Sequence, residues 1–503
     1  MDILTRTIVY LTITISGASV MIFELVAPRL FAPYFGTSTY IWTIVIGVVM
    51  TSLSLGYFLG GKLADRRPHT STLATLYLIG AVISFIICLS KDFILHSSYL
   101  DQRNIIAGSF QVALLLLGPI NLVLGMVTPV GVRLLTKSKD SSGSVSGNVY
   151  AVSTIGSIIG TFAAGFWLIP MFGISDILFG VTAALFICAS LLIPSLFKKA
   201  SLIIFLIFAS IFYSNNNPNK IFASYYEKYF DVKLVADFQT EYSRIWIYDK
   251  IYPNGIKKRT LTDSESDLYL DKPIAFTMER NLSYYSFFNL GKVYNPNIQN
   301  ALMIGGGAYT YARYLQETYP NLNLDVVEID PKLLAVSTKY FGFVPNDNFH
   351  NYPMDGRQYL NVNQKKYDVI YLDAYRNGSS TPFQLLTKEA MSLYSNSLSD
   401  NGLLFINVIS SLSGPSHDLL LSEYQTALSI FPAVKVFPVF NLDPKSTQNM
   451  VILAQKNKDF PINVVGLNNL NPAVANMGQY IHKDLILTDD HAPVEYYDLK
   501  SIL

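Results

Sequence analysis

The sequence predicts two unlike parts, an α-helical polytopic membrane domain followed by an α/β domain with a Rossmann-like, doubly wound sheet. Half of the 503 residues are hydrophobic and 15% are charged, whereas soluble proteins carry about a quarter charged residues. Nearly all long uncharged runs lie before Ser214, and a charged sequence rich in Asn and Tyr follows. Alternating strand and helix patterns around a glycine turn then begin at Asn300.

Six apolar runs each approach the roughly 20 residues that a membrane-spanning helix needs. They cover residues 8–27, 40–61, 72–89, 105–127, 149–170 and 177–196. The first run continues into Glu24 and Arg29 and is followed by further spans, so we interpret it as a retained helix and not as a signal peptide. A seventh run, 200–214, would extend only about 22 Å as a helix, so it either spans with help or lies along the interface.

Basic residues set the orientation of these helices. They follow the second, fourth and sixth runs at Arg66, Arg67, Arg133, Lys137, Lys139, Lys198 and Lys199. The N-terminus and these loops are therefore expected on the cytoplasmic side. We expect the C-terminal half to be cytoplasmic as well, provided that the seventh run does not cross.

Two charged residues at the far end of the first helix form a candidate polar pair in the membrane. Ionised groups are costly in lipid, so Glu24 and Arg29 are expected to face the bundle interior or each other. A substrate path and a structural ion pair both explain them.

The polar segment Asn215–Asn219 divides the chain. We predict a membrane domain over residues 1–214, a small β lobe over 215–275 and a Rossmann domain with an acidic tail over 276–503. Short alternating segments such as Arg244–Tyr248 are typical of strands in the β lobe.

A glycine turn marks the nucleoside site that we predict in the third domain. The buried strand Asn300–Ile304 enters Gly305, Gly306 and Gly307, a helix follows, and the next strand ends with Glu328 and Asp330. Glycines admit a ligand to the backbone at a helix N-terminus, and an acid ending the next strand accepts hydrogen bonds from both ribose hydroxyls. Because the spacing is not GxGxxG, it favours a nucleoside such as S-adenosylmethionine over a dinucleotide.

Two further acids follow later strands. Asp355 and Gly356 come where a third strand should end, so Asp355 is a candidate contact for an adenine amino group. Asp373 ends the strand Lys366–Asp373, at the edge where ligands of open α/β sheets bind. A helix or turn cap is the alternative for Asp373, and three acids at successive strand ends favour a site.

Composition limits the other partners. A net charge of +1 gives no basic field for nucleic acid. Cys88 and Cys188, both in apolar runs, exclude a disulfide scaffold and a thiolate zinc cluster, and we expect no metal. The expected partners are the lipid bilayer and a small amine or a membrane-associated acceptor, with a homo-oligomer among the options.

The motifs MIGGGAYTYARYL, VVEIDPKLLAVSTKYF, MDGRQYL, YDVIYLDAYRNGSSTPFQLLTKE and NGLLFINV follow the order and spacing of the spermidine synthase family. The helical half, in GYFLGGKLADRR and GNVYAVSTIGSIIGTFAAGFWLIPMFG, and the tail LTDDHAPVEYY resemble its membrane-fused members. The resemblance implies that Gly305 to Gly307 underlie the methionine part of the donor, that Glu328 binds ribose, and that Asp355 and Gly356 bind adenine. It makes Asp373 the catalytic acid that helps to deprotonate the attacking amine.

The sequence departs from the family where the family holds a cationic acceptor. Ala308 replaces the acid after the glycine triplet, Tyr375 and Arg376 occupy the place of a second acid, and Tyr284 begins Tyr-Tyr-Ser instead of Tyr-His-Glu. Tyr284, Tyr375 and two tail carboxylates, Asp489 and Asp490, are the candidates for substrate contacts, the last two if the tail folds over the site.

These features predict a membrane-bound transferase that moves an aminopropyl group from decarboxylated S-adenosylmethionine to a polyamine-like amine. Methyl transfer from S-adenosylmethionine is one alternative. A transporter-like bundle with a nucleoside-sensing, non-catalytic domain is another.

Overall fold

A computed structural model describes residues 2–35, 38–101, 105–136, 142–193, 232–251, 257–263, 295–375, 381–414, 416–438, 443–457 and 486–497, together with 207, 209–210 and 291–292. The chain forms two compact units, Met1–Ser224 and Tyr225–Leu503. The seventh apolar run, apart from three helical residues, lies outside the described residues, as do Tyr284 and the predicted boundary at 215–219. The division into three domains stays a prediction.

The first unit is a helical bundle with one hydrophobic core. Its described part contains six helices that are long and apolar enough to cross a membrane, which confirms the predicted number of apolar helices. The helices are α1 (Ile3–Phe35), α2 (Thr39–Arg66), α3 (Thr70–Asp101), α4 (Ile105–Leu116), α5 (Gly118–Leu135), α6 (Ser142–Ala163) and α7 (Ile174–Leu192). A π-helical turn, Ala164–Leu168, and a last turn, Ile169–Met171, extend α6.

The fourth predicted span differs from the structure. Instead of one helix over 105–127, the chain forms α4 and then α5, which continues to Leu135. Pro119 explains the break at Leu117, since proline lacks the N–H that a continuous helix requires and its ring clashes with the preceding turn. The predicted span 105–127 therefore covers α4 and only the first part of α5, and Gly118–Leu135 is the fourth helix that is long and apolar enough to cross a membrane.

Glycines bring pairs of these helices into close contact. A Cβ added to Gly60 of α2 would lie 2.6 Å from Cα of Met126 in α5. A Cβ added to Gly156 of α6 would lie 2.0 Å from the carbonyl oxygen of Thr14 in α1. Small residues in membrane helices serve this purpose, because apolar surface alone gives little preference for another helix over lipid.

Two neighbouring glycines of α2 provide a test of this packing. We expect Gly60→Leu to destabilise the helical unit by about 1–3 kcal/mol, because the new side chain overlaps the backbone of α5. Gly61→Leu is the matched control, since nothing lies within 4 Å of a Cβ at that position. Thermal unfolding of both variants in the same detergent checks the difference. Equal unfolding temperatures would show that the close contact does not support the fold.

The second unit begins with a small antiparallel sheet in the order β1-β2-β3. Its strands are β1 (Val232–Gln239), β2 (Arg244–Ile251) and β3 (Lys257–Thr262). Arg259 donates to both carboxylate oxygens of Asp249, at 2.7 and 2.9 Å, and to the carbonyl oxygen of Tyr340. This guanidinium therefore connects the small sheet to the domain that follows.

A seven-stranded sheet forms the rest of the second unit, in the order β6-β5-β4-β7-β8-β10-β9. The elements are β4 (Asn300–Ile304), α8 (Thr310–Thr318), β5 (Asn323–Glu328), α9 (Leu333–Val336), β6 (Phe349–Pro353), α10 (Gly356–Val362), β7 (Tyr367–Leu372), α11 (Lys388–Ser397), β8 (Leu398–Ser410), α12 (His417–Leu428), β9 (Ala433–Pro438) and β10 (Gln448–Gln455). Strands β4 to β8 pair in parallel, and β10 is antiparallel to both of its neighbours. The predicted Rossmann-like fold is confirmed.

Both faces of this sheet are buried, as expected for parallel strands. Alternate residues of β4 enter different cores: Ala301 and Met303 pack on one face, and Leu302 and Ile304 on the other. The strand order reverses between β4 and β7, so a crevice opens at their carboxyl ends, where ligands of such sheets bind.

Candidate active site at the carboxyl edge of the sheet

The glycine turn after β4 is held tightly between its two neighbouring strands. The Gly305 N–H donates to the Val327 carbonyl oxygen on one side, and the Asp373 N–H donates to the Ile304 carbonyl oxygen on the other, both at 2.9 Å. Gly305 has φ +97°, and a Cβ there would lie 2.2 Å from the carbonyl oxygen of Asp373. Only glycine fits this position, because both the backbone angle and the space exclude a side chain.

Glu328 ends β5 and binds the glycine turn directly. Its Oε2 accepts from the N–H groups of Gly306 at 2.7 Å and Gly307 at 3.2 Å, and its Oε1 accepts from Asp330 N–H at 3.0 Å. The side chain is 7% exposed. Burial raises the pKa of Glu328, and the three N–H groups oppose that shift.

This geometry limits the role predicted for Glu328. A carboxylate offers about four acceptor positions, and protein N–H groups already fill three of them. The remaining position on Oε1 can accept one ribose hydroxyl, so binding both hydroxyls at once requires one protein bond to be given up. The ribose contact of Glu328 stays a prediction, and the sequence did not show that the same carboxylate also holds the glycine turn.

Asp330 lies beside Glu328 and is buried at 3% exposure. Its Oδ1 accepts from Lys332 N–H, and its Oδ2 is buried without a hydrogen-bond partner among the described residues. The edge of the sheet therefore holds a carboxylate oxygen that the described protein groups do not use.

Asp355 caps the N-terminus of α10. Its Oδ1 accepts from the N–H groups of Arg357 and Gln358, at 2.8 and 3.0 Å, and neither bond uses Oδ2. A Cβ on Gly356 would lie 2.6 Å from Cγ2 of Ile304. The missing side chain thus lets α10 begin against the end of β4 and places Asp355 near the glycine turn.

Asp373, directly after β7, is oriented by a chain of amides. Its Oδ1 accepts from Nδ2 of Asn407 on β8 at 2.8 Å, and Oδ1 of Asn407 accepts from Nδ2 of Asn449 on β10 at 3.0 Å. The Tyr375 hydroxyl donates to the Asn407 carbonyl oxygen at 2.6 Å. Because Asn449 occupies the oxygen of Asn407, the NH₂ group of Asn407 must face Asp373.

Sequence reasoning missed Asn407 and Asn449. Each is a polar residue in an otherwise apolar, buried strand, within LLFINVI and NMVILA. Buried polar groups need hydrogen-bond partners, so this pattern was the available signal. The partners themselves could not be read from it.

The tail carboxylates are placed differently from each other. Asp489 Oδ2 lies 2.7 Å from Nη2 of Arg357, and Asp489 Oδ1 accepts from the Thr387 hydroxyl. Asp490 is exposed. The tail therefore folds onto α10 and α11, with Asp489 engaged by the protein, and contact of either carboxylate with substrate stays a prediction.

Three further residues that the sequence singled out, Glu24, Arg29 and Ala308, lie among the described residues. Glu24 and Arg29 are both half-buried on α1, and no ion pair joins these two described residues. Ala308, in place of the family's acid, is fully buried. Within the described ranges, no cluster of three or more His, Cys, Asp or Glu residues forms a metal site.

Replacing Asn407 tests the amide chain. We expect Asn407→Leu to lower kcat about 10-fold and to leave the KM for the donor nucleoside unchanged, because a charge-assisted hydrogen bond is lost without removal of a ligand contact. Asn449→Leu should have a smaller effect in the same direction, since Asn407 can then turn its amide. The exposed Asn321→Leu is the control. A change confined to KM would place Asn407 in donor binding instead.

Comparison with known proteins supports the sequence motifs. Residues 286–464 match the family model of the spermine/spermidine synthase domain. A polyamine aminopropyltransferase from Vibrio vulnificus is 33% identical over 167 residues, which cover 33% of this chain and 52% of the relative. Polyamine aminopropyltransferase 2 from Aquifex aeolicus is 22% identical, with 73% of this chain and 72% of the relative covered.

A solved spermidine synthase in complex with the transition-state analogue AdoDATO shares 19% identity, with a TM-score of 0.35 over 45% of this chain and 73% of that one. The chain spans about half the length of the first curated relatives that it matches. The predicted resemblance is confirmed for residues 286–464, which lie in the second unit and match the spermine/spermidine synthase domain.

Proposed function

We propose that the protein is a membrane-bound aminopropyltransferase whose donor is decarboxylated S-adenosylmethionine and whose acceptor is a small amine. The observation that carries this proposal is the position of Asp373. It lies against Gly305, at the crevice where the sheet reverses, with one carboxylate oxygen fixed by Asn407. The names of the relatives, polyamine aminopropyltransferases, point to the same reaction.

The reaction is a displacement at the carbon next to a sulfonium. The lone pair of the acceptor nitrogen forms the new C–N bond, the C–S bond breaks, and its electron pair returns to sulfur, which leaves as the neutral thioether 5′-methylthioadenosine. The proton released by the acceptor nitrogen passes to Asp373. Because the sulfonium already is a good leaving group, the protein contributes position and a proton acceptor.

Each candidate residue has a place in this scheme. Gly305 to Gly307 admit the donor to the backbone, Glu328 accepts a ribose hydroxyl, and Oδ2 of Asp355 accepts from the adenine amino group. Asp373 faces the reacting carbon. Asn407 acts through Asp373 and is therefore a positioning residue.

One observation favours methyl transfer as a second candidate. Ala308, fully buried after the glycine turn, leaves no carboxylate there to hold a cationic diamine or the free amine of the decarboxylated donor. An ammonium group that enters such a site loses hydration without a compensating charge. The donor would then be S-adenosylmethionine itself.

The nucleoside product distinguishes the two reactions. Detergent-purified protein is incubated with decarboxylated S-adenosylmethionine and putrescine, and separately with S-adenosylmethionine and a membrane extract. Mass spectrometry that finds 5′-methylthioadenosine and spermidine in the first mixture supports aminopropyl transfer. S-adenosylhomocysteine in the second mixture alone would establish methyl transfer and overturn the main proposal.

The catalytic unit faces the cytoplasm in this proposal. The six apolar helices of the described residues give an even number of crossings, and the cytosol contains the donor. Cysteine introduced at the exposed Asp347 and treated with a membrane-impermeant maleimide in intact cells is the test, because the native Cys88 and Cys188 are buried. We expect labelling only after lysis. Labelling of intact cells would require a seventh span.

A further inference from the structure

The six long helices of the first unit form two halves, α1 to α3 and α5 to α7. The pattern of contacts between these helices is unchanged when the halves are exchanged. The three most extensive helix contacts are α1 with α6, α2 with α5, and α3 with α7. When α1 is exchanged with α5, α2 with α6 and α3 with α7, the contact of α1 with α6 becomes the contact of α5 with α2. The same exchange leaves the third contact as it is.

The same exchange holds at the level of single residues. Three close backbone contacts between α1 and α6 each have an equivalent between α5 and α2. Gly17 contacts Ser153 as Gly125 contacts Leu53. Gly156 contacts Thr14 as Gly56 contacts Leu122, and Gly160 contacts Ala18 as Gly60 contacts Met126. In all three, the α6 residue lies 100 positions after its α2 equivalent, and the α5 residue lies 108 positions after its α1 equivalent.

The direction of the helices shows how the halves are related. Thr14 and Ala18 of α1 contact Gly156 and Gly160 of α6, respectively. The residue numbers increase in the same direction along both helices, so the helices are parallel. The α2 and α5 pair is parallel for the same reason. Parallel α1 and α6 in a chain that reverses at every crossing place α1 and α5 in opposite directions. The halves are therefore inverted relative to each other.

A twofold axis that relates the two halves must pass through the third contact, between α3 and α7, because the exchange leaves this contact unchanged. Helices α3 and α7 run antiparallel there, with the hydroxyls of Ser84 and Thr182 at 2.7 Å, both fully buried. Cys88, one turn further along α3, reaches the carbonyl oxygen of Ser175, which precedes Thr182 on α7. This antiparallel register is what a twofold axis through the contact requires.

We infer that residues 3–192 form an inverted-topology repeat of two three-helix halves, and that this unit has a second function, the transport of a small cationic amine across the membrane. Inverted repeats are the architecture of many secondary transporters, in which two halves move against each other and the solute binds where they meet. The inference rests on the proposed membrane placement and is independent of the transferase reaction.

An acidic residue on a helix that contacts the other half indicates the class of solute. Glu24 lies on α1, which contacts α5, α6 and α7 of the other half. Of the acids on the described helices of the first unit, it is the one that is more than a turn from a helix end and makes no ion pair with a described residue. The equivalent position on α5 is Val132, so the carboxylate is single. A carboxylate inside a membrane protein selects a cation.

A buried amide on α5, which contacts α1, supports a polar path between the halves. Asn121 of α5 is fully buried, and its Oδ1 has no hydrogen-bond partner among the described residues. Its Nδ2 bonds only within the helix, to the carbonyl oxygen of Leu117. An acceptor left without a donor in an apolar interior is costly, and an ammonium solute supplies that donor.

Flux into liposomes tests the proposal. The full chain is reconstituted in phosphatidylcholine and phosphatidylglycerol vesicles, without any nucleoside, and uptake of radiolabelled putrescine is followed. We expect saturable uptake above protein-free vesicles, a loss of at least about 10-fold in Glu24→Gln, and wild-type uptake in Asp65→Asn, which removes an exposed acid at the end of α2.

The controls separate the possible failures. Equal amounts of the three proteins must remain in the vesicles after a carbonate wash, and loss of the wild type at this step would contradict the membrane placement and with it this proposal. Uptake equal to that of protein-free vesicles would overturn transport. Full uptake in Glu24→Gln would overturn the assignment of the cation site. Transferase activity, assayed separately in detergent, is unaffected by any of these outcomes.

Discussion

Asp373→Asn is expected to abolish most turnover, with kcat lower by about 10²- to 10⁴-fold, while the donor nucleoside still binds. The amide has nearly the shape of the carboxylate and can keep a contact with Asn407, but it cannot take the proton that the acceptor amine releases. Measurement of 5′-methylthioadenosine formation together with calorimetric titration of the donor gives the two quantities independently.

Asp347→Asn, an exposed substitution in the same unit, is the control for this variant. Retained activity in Asp373→Asn would assign proton transfer to another group, and Asp489 and Asp490 would be examined next. Loss of donor binding together with turnover would mean that Asp373 holds the donor and not the reacting proton. A non-catalytic, sensing domain predicts no turnover in the wild type and no effect of the substitution.

Glu328→Gln is expected to weaken donor binding by about 10- to 100-fold, because a hydrogen bond to a charged acceptor is worth about 1.5–3 kcal/mol. The amide has one acceptor oxygen. It therefore cannot serve the glycine turn, the Asp330 N–H and a ribose hydroxyl together. Titration calorimetry with decarboxylated S-adenosylmethionine measures the loss, and Glu317→Gln, a half-exposed acid on α8, is the control. Equal affinity in the Glu328 variant would remove Glu328 from the site.

The pH dependence of binding provides a second readout of Glu328. Burial raises the pKa of this carboxyl, and a ribose hydroxyl donates to the ionised form. We therefore expect donor affinity to fall as the pH drops through the raised pKa and to be complete above it. This dependence should be absent in Glu328→Gln.

The contribution of Glu328 to folding stability changes with pH in the opposite direction to its contribution to donor affinity. A carboxyl whose pKa is raised in the folded state contributes stability that is present below the unfolded pKa and is lost as the pH rises through the folded pKa. The ionised form of Glu328 therefore lowers the folding stability above the raised pKa. Chemical unfolding of the ligand-free protein over this pH range should show a smaller loss in Glu328→Gln than in the wild type.

The sequence by itself determined the elements and the acids at their ends. Six apolar runs predicted six long helices because a length near 20 residues is a local property of the chain. The order strand, glycine turn, helix and strand placed Glu328, Asp355 and Asp373 at one edge of a sheet, since parallel strands end at the same edge. These conclusions depend on periodicity and connectivity, which are both properties of residues that follow one another along the chain.

Only the tertiary structure decided which of these groups meet and how their hydrogen bonds are shared. Asn407 and Asn449 lie 42 residues apart, and they join Asp373 because β10 inserts antiparallel between β8 and β9. Gly56 and Gly60 of α2 have the same spacing as Gly156 and Gly160 of α6, but their equivalence required the contacts with α5 and α1. The physical reason is that such contacts depend on strand order, helix direction and packing distance, which act between residues far apart in the chain and leave no local pattern.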